Sequence, residues 1–155
     1  MSSINNIAAA LVLLTAMPAF AQITGLVQGT AEVQSDKLEV DHNLKKAHFE
    51  GSVKAAWANL KLRCDKMEIF YNDRGEVISL RAVGNVAVAR DDSRATAGAA
   101  RLDARQNILI LEGSPVLVQG PHRLKGSRIV VHLSSGRLEV TEATGTFHLG
   151  KRKTK

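Results

Sequence analysis

Apolar and polar residues alternate along most of this chain, the period-two pattern of strands that bury one face. Leu38 and Val40 alternate with Lys37, Glu39 and Asp41, and Ala47, Phe49, Gly51 and Val53 share one face. Leu60, Leu62 and Cys64 alternate with Lys61 and Arg63, Met67 and Ile69 continue the series, and Ile78, Leu80, Ala82, Gly84, Val86 and Val88 line one face of a long strand. Leu102 starts a further strand. Ile108 to Leu111 and Val116 to Val118 are apolar on both faces, and Ile129, Val131, Leu133, Leu138 and Val140 complete the pattern. Turn residues punctuate it at Asp41-His42-Asn43, Asn72-Asp73-Arg74-Gly75, Asp91-Asp92-Ser93, Gln106-Asn107, Gly120-Pro121 and Ser134-Ser135-Gly136. With no sustained helical period after the first residues, the pattern predicts about a dozen or more short strands in an all-β sandwich, roll or solenoid.

Glycine recurs inside the strands rather than at the turns. Gly51, Gly84, Gly113 and Gly145 are flanked by strand-forming residues and stand 33, 29 and 32 residues apart. A period near 30 suggests one β unit laid down four times. Glycine within a strand weakens it and marks a bulge, a bend or a close backbone approach, so these positions should bend each strand at one level.

The ends of the chain change the picture. Residues 1–21 carry no charge and hold an apolar run, Ile7 to Leu14, followed by Pro18 and Ala19-Phe20-Ala21. This reads as a secretory signal peptide cleaved after Ala21, the apolar run being too short for a membrane span. Residues 22–149 would then be one exported domain and 150–155 a basic, disordered tail, Lys151-Arg152-Lys153-Thr154-Lys155. The formal net charge is +6 and suits anionic partners such as a phosphorylated glycolipid, a membrane surface or a polyanionic polymer. Four Phe, one Tyr and one Trp, widely dispersed, offer no stacking platform, and nucleic acid is not expected as a partner.

The residues that could carry chemistry form no constellation. Cys64 is the only cysteine, which excludes an internal disulfide, and it reads as a small buried apolar residue. His42, His48, His122, His132 and His148 lack metal-ligand spacing, Asp91-Asp92 and Asp103 read as solvated carboxylates, and Ser134-Ser135-Gly136 is not a nucleophile elbow. No enzyme activity, metal or cofactor is expected. The alternation alone fits a closed core equally well, as in an autonomous exported structural or carbohydrate-binding β-domain.

Three elements together resemble the LptA (OstA-like) family of periplasmic lipopolysaccharide transport proteins. They are Ser35-Asp36-Lys37-Leu38-Glu39-Val40-Asp41, then Ala82-Val83-Gly84-Asn85-Val86-Ala87-Val88, and finally Gly126-Ser127-Arg128-Ile129-Val130-Val131 followed by Ser135-Gly136-Arg137-Leu138. The resemblance covers residues 33 to 141 and implies a single-domain open β-roll, a twisted β-jellyroll or β-taco of short antiparallel strands in stacked repeats. It also implies periplasmic localisation and an apolar groove that takes the acyl chains of lipid A.

Placed on this sequence, the expected groove comprises Leu38, Val40, Phe49, Val53, Leu60, Leu62, Met67, Ile69, Leu80, Val86, Val88, Leu102, Leu109, Leu111, Leu117, Ile129, Val131, Leu138 and Val140. Unpaired edge strands would join copies head to tail and join the chain to an LptC-like inner-membrane protein and an LptD-like outer-membrane protein. The expected edge positions are Val33, Ser35, Lys37 and Glu39 at the N-terminal end, and Glu139, Thr141, Thr144 and Phe147 at the C-terminal end.

Overall fold

A computed structural model describes residues 31–57 and 59–150 of the 155. Residues 1–21, the start of the expected 22–149 domain and residues 151–155 of the tail lie outside the described residues. The described residues form twelve β-strands and no helix. They are β1 (Ala31–Gln34), β2 (Lys37–Asp41), β3 (Lys46–Trp57), β4 (Leu60–Tyr71), β5 (Val77–Arg90), β6 (Ser93–Asp103), β7 (Ile108–Glu112), β8 (Val116–Gln119), β9 (His122–Lys125), β10 (Arg128–His132), β11 (Arg137–Thr141) and β12 (Thr144–Thr146).

All pairing is antiparallel, and the strand register breaks once in the middle of β3, β4 and β5 as each meets its neighbour. Those breaks divide one continuous sheet into two walls. The first wall runs β2, the N-terminal half of β3, the C-terminal half of β4, the N-terminal half of β5, the C-terminal half of β6, then β7, β10 and β11. The second runs β1, the remaining halves of β3 to β6, then β8, β9 and β12. The result is an open β-roll folded along the line of the bends.

Each bend is built the same way. Gly51-Ser52, Gly84-Asn85 and Gly113-Ser114 all have positive φ, at 83° and 47°, 83° and 47°, and 77° and 54°. Glycine takes the first of these conformations without steric cost, whereas a side chain there is strained. Two residues occupy each bend, so alternation along the bent strand is kept and Phe49 and Val53, Ala82 and Val86, and Leu111 and Pro115 all point inward and are buried. A single residue of the neighbouring strand sits opposite. The Asp36 N–H donates to the Gly51 carbonyl at 3.0 Å, the Gly98 N–H donates to the Gly113 carbonyl at 2.9 Å, and the Asn85 side-chain amide donates to the Asp65 carboxylate at 2.9 Å.

The fourth bend corrects the repeat as read from glycine spacing. Gly145 lies inside β12 without a positive φ; the chain turns at Thr141-Glu142, where Glu142 has φ 51° and the Ser127 N–H donates to the Thr141 carbonyl at 3.0 Å. The period persists, but a non-glycine residue carries it. A second correction concerns Ile78, expected on the same face as Leu80. An irregularity between Phe70 and Tyr71 pairs Tyr71 with Val77, and it is Val77 that is buried, at 6% exposure, while Ile78 is only half-buried.

Away from the bends, the hairpin turns form two lips. One lip carries the turns that follow β2, β4, β6 and β10, and the other carries those that follow β3, β5 and β8. Asx geometry holds the first lip. Asp41 Oδ1 accepts from the N–H groups of Asn43 and Leu44, Asn72 Oδ1 from those of Arg74 and Glu76, and Asp103 Oδ1 from those of Arg105 and Gln106.

Cross-strand ion pairs fix the register on the outside of the first wall. Lys46 pairs with Glu68 at 2.7 Å and Lys66 with Glu50 at 2.8 Å, while Arg137 and His132 both contact Glu139. The carboxyl of Glu68 is held below its ordinary value of 4.5 by the hydrogen bond from Lys46, that of Glu50 by the bond from Lys66, and that of Glu139 by Arg137 and then His132. A depressed carboxyl contributes stability above its unfolded value and loses it as pH falls through the folded one. The thermal midpoint should therefore decline as pH drops below about 4.5, and Glu68→Gln should flatten that decline in a scan of midpoint against pH. An identical acid slope in the variant and the wild type would assign the pH dependence elsewhere.

Candidate functional site

The inward faces of both walls meet in one apolar interior. Phe49, Val53, Leu62, Met67, Leu80, Val86, Leu102, Leu111 and Ile129 are buried there, and each such side chain contributes roughly 1.5–3 kcal/mol by leaving water. Leu60, Ile69, Val88, Leu109, Leu117, Val131, Leu138 and Val140 are partly buried against that cluster. Among the expected groove residues, only Leu38 and Val40 stand outside it. They are 43% and 40% exposed on β2, the outermost strand of the first wall.

Leu38 and Val40 instead line a cavity of ≈ 580 Å³ at the N-terminal end of the roll. Val33 and Ala55 reach it from the second wall, and Ala47, Phe49, Met67, Ile69, Val77 and Leu80 from the first. Its rim is polar, with Glu32, His42, Lys45, Asp73 and Arg74, and Lys45 pairs with Asp73 at 3.1 Å. An apolar cleft with a charged mouth at an unpartnered end of the sheet can receive hydrocarbon while leaving a polar head in water.

Sequence reasoning set Ala47 and Ala82 on apolar faces but missed the other small residues of this interior. Ala47, Ala55, Ala82, Ala95, Ala97 and Ala100 are all buried. Their signal was present in the alternation, but alanine counts weakly on strand scales. Cys64, buried at 4% exposure, belongs to the same cluster; burial, with the Asp65 charge as the smaller cause, pushes its thiol up to about 11. That keeps it protonated and unreactive at neutral pH.

The expected edge residues fall on different parts of the outer strands. β1 and β2 each pair only with β3, β11 pairs only with β10, and β12 only with β9, so each leaves one backbone edge unpaired among the described residues. Lys37 and Glu39 lie on β2 and pair with each other at 3.2 Å, and Ser35, between β1 and β2, donates to the Lys37 carbonyl. Val33 lies on the edge strand β1, but its side chain turns into the interior. Glu139 and Thr141 lie on β11 and Thr144 on β12, and Phe147 follows β12 with its ring 59% exposed and 5.8 Å from that of His122. Among the described residues, no three His, Cys, Asp or Glu side chains gather as metal ligands.

Residues 32–137 match the family described as LptA/(LptD N-terminal domain) LPS transport protein. The chain belongs to this family. Its fold matches the crystal structure of LptH, the LptA homologous periplasmic component of the conserved lipopolysaccharide transport device from Pseudomonas aeruginosa. That match has a TM-score of 0.73 at 14% sequence identity, over 81% of this chain and 99% of the other. No curated protein matches the sequence.

Proposed function

We propose that this chain is a periplasmic carrier that holds the acyl chains of lipopolysaccharide between its two walls and passes them along a bridge of β-roll units. The observation that carries this reading is the apolar cleft, which reaches the N-terminal end of the roll, where β1 and β2 leave an edge unpaired among the described residues. Burying each methylene there is favourable by ~0.8 kcal/mol, so a lipid with several chains is held firmly without a covalent step. Leu38, Val40 and Ile69 on the first wall, with Val33 on the second, would meet the chains first, and Val88, Leu117 and Val131 would continue the path. The polar head would stay outside the lips.

The free edges supply the bridge. β1 and β2 would accept an LptC-like inner-membrane protein or the C-terminal edge of another copy, and β11 and β12 would pair with the next copy or an LptD-like outer-membrane protein. Val140→Pro tests this arrangement. Proline is tolerated on an edge strand but cannot donate to a new ladder, and its ring retains apolar bulk against Ile129, the register partner of Val140. Light scattering should show the wild type forming concentration-dependent assemblies and the variant remaining monomeric with an unchanged folded spectrum. Cells carrying only the variant should deliver less lipopolysaccharide to their surface at equal protein level. Assembly by the variant as strong as that of the wild type would remove β11 from the bridge.

A further inference from the structure

The two walls differ in the charge they present to solvent. On the first wall five outward cations are matched by anions, Lys37 with Glu39, Lys46 with Glu68, Lys66 with Glu50, Arg128 with Glu112 and Arg137 with Glu139, while Arg81 and Arg101 make no ion pair among the described residues. On the second wall the outward, exposed charges are Lys54, Lys61, Arg63, Arg94, Arg123 and Lys125, with Glu32 on β1 as the single anion of its strands. None of these six cations makes an ion pair among the described residues.

Lys54 and Arg63 stand directly opposite each other in the register of β3 and β4. Like charges in that position destabilise a sheet, and Arg81 opposite Arg101 on the first wall does the same, so the walls differ in the excess of cations over anions rather than in this pair alone. The side chains between the cations are short: Ala56, Ala87, Ala89, Thr96, Val116 and Val118 occupy the neighbouring outward positions. The cationic heads therefore stand proud of a sheet eight strands long, about 34 Å at ~4.8 Å per strand. None of the six lines the cavity.

From this geometry we infer that the outer face of the second wall docks on the phosphate layer of an anionic phospholipid membrane. An extended face with several separated cations fits many phosphates at once rather than one enclosed anion, and each Lys or Arg near an anionic leaflet adds attraction that falls off within a Debye length. The inference rests on the charge map and stands independently of the cargo in the cleft. Docking by this wall leaves the lips and the edge strands free.

The test is flotation of the purified protein with vesicles of phosphatidylglycerol and phosphatidylcholine, against vesicles of phosphatidylcholine alone. The protein should float with the anionic vesicles at low ionic strength and be released at about 0.5 M salt, where the Debye length is roughly 4 Å. Replacing Lys61, Arg63, Arg94 and Arg123 by Gln should weaken this partitioning tenfold or more. Replacing Lys66, Arg81, Arg101 and Arg128 on the first wall by Gln removes the same charge and should weaken it less than threefold. Circular dichroism and lipopolysaccharide binding, unchanged in the second-wall variant, would separate loss of docking from loss of fold or cargo site. Undiminished flotation of that variant would assign membrane attraction to other basic segments and overturn the inference. Equal losses in both variants, or equal binding to neutral vesicles, would overturn it as well.

Discussion

Gly84→Val is expected to cost about 3 kcal/mol of folding stability, read as a lower denaturation midpoint in urea with little change of slope. The backbone at Gly84 has φ 83°, a region that β-branched residues essentially avoid, and a Cβ built there overlaps the side chain of Asp65 on the neighbouring strand. Relief by movement of Asp65 is opposed by its hydrogen bond from Asn85, the second left-handed residue of the same bend. The bend cannot straighten without loss elsewhere, because it carries Ala82 into one wall and Val86 into the other, both buried. Gly145→Ala provides the contrast. Its Cβ would meet the ring of Phe147, which is largely exposed, and the tip of the Leu124 side chain, on a backbone without positive φ, so the expected cost is below ~1 kcal/mol. Similar costs at the two sites would show that the bend does not depend on glycine.

The strands were legible because one face of nearly every strand is buried, and burial on one face writes an alternating sequence. The bends at Gly51, Gly84 and Gly113 were legible for a different reason: only glycine fits a left-handed first position beneath Asp36, Asp65 or the Gly98 backbone. At the fourth bend nothing comparable packs over the turning residue, Glu142 adopts φ 51°, and the glycine signal is lost, so Gly145 stood in for it in the sequence. Val77 was missed because a break in register, which depends on the partner strand, decides that it and not Ile78 points inward. The exposed position of Leu38 and Val40 was also invisible, since alternation records which face is apolar and not whether a second wall covers it.

The charge difference between the walls shows the same limit. Outward residues of both walls lie on the same long strands, for example Glu50 and Lys54 on β3 or Lys61 and Glu68 on β4, and they separate only once the bend between them is placed. In linear sequence they read as ordinary mixed charge. The edges left unpaired at β1, β2, β11 and β12 among the described residues likewise follow from topology rather than composition, because a terminal strand and an interior strand share one alternating pattern.

The central claim is that the interior between the walls is the path of the lipid, and position-specific photo-crosslinking in living cells tests it most directly. A photoreactive residue at Val40, Ile69, Val88, Leu117 or Val131 points into the interior from strands along the whole roll, yet each site is only partly buried and accepts a modest change of shape. The same group at Arg63, Arg81 or Arg101 points outward from neighbouring strands. Lipopolysaccharide adducts should form at the inward positions at least tenfold more than at the outward ones, since about 1.4 kcal/mol of preference for the apolar path already gives that ratio. Adducts confined to the outward positions, or equal on both faces, would contradict a lipid path through the roll.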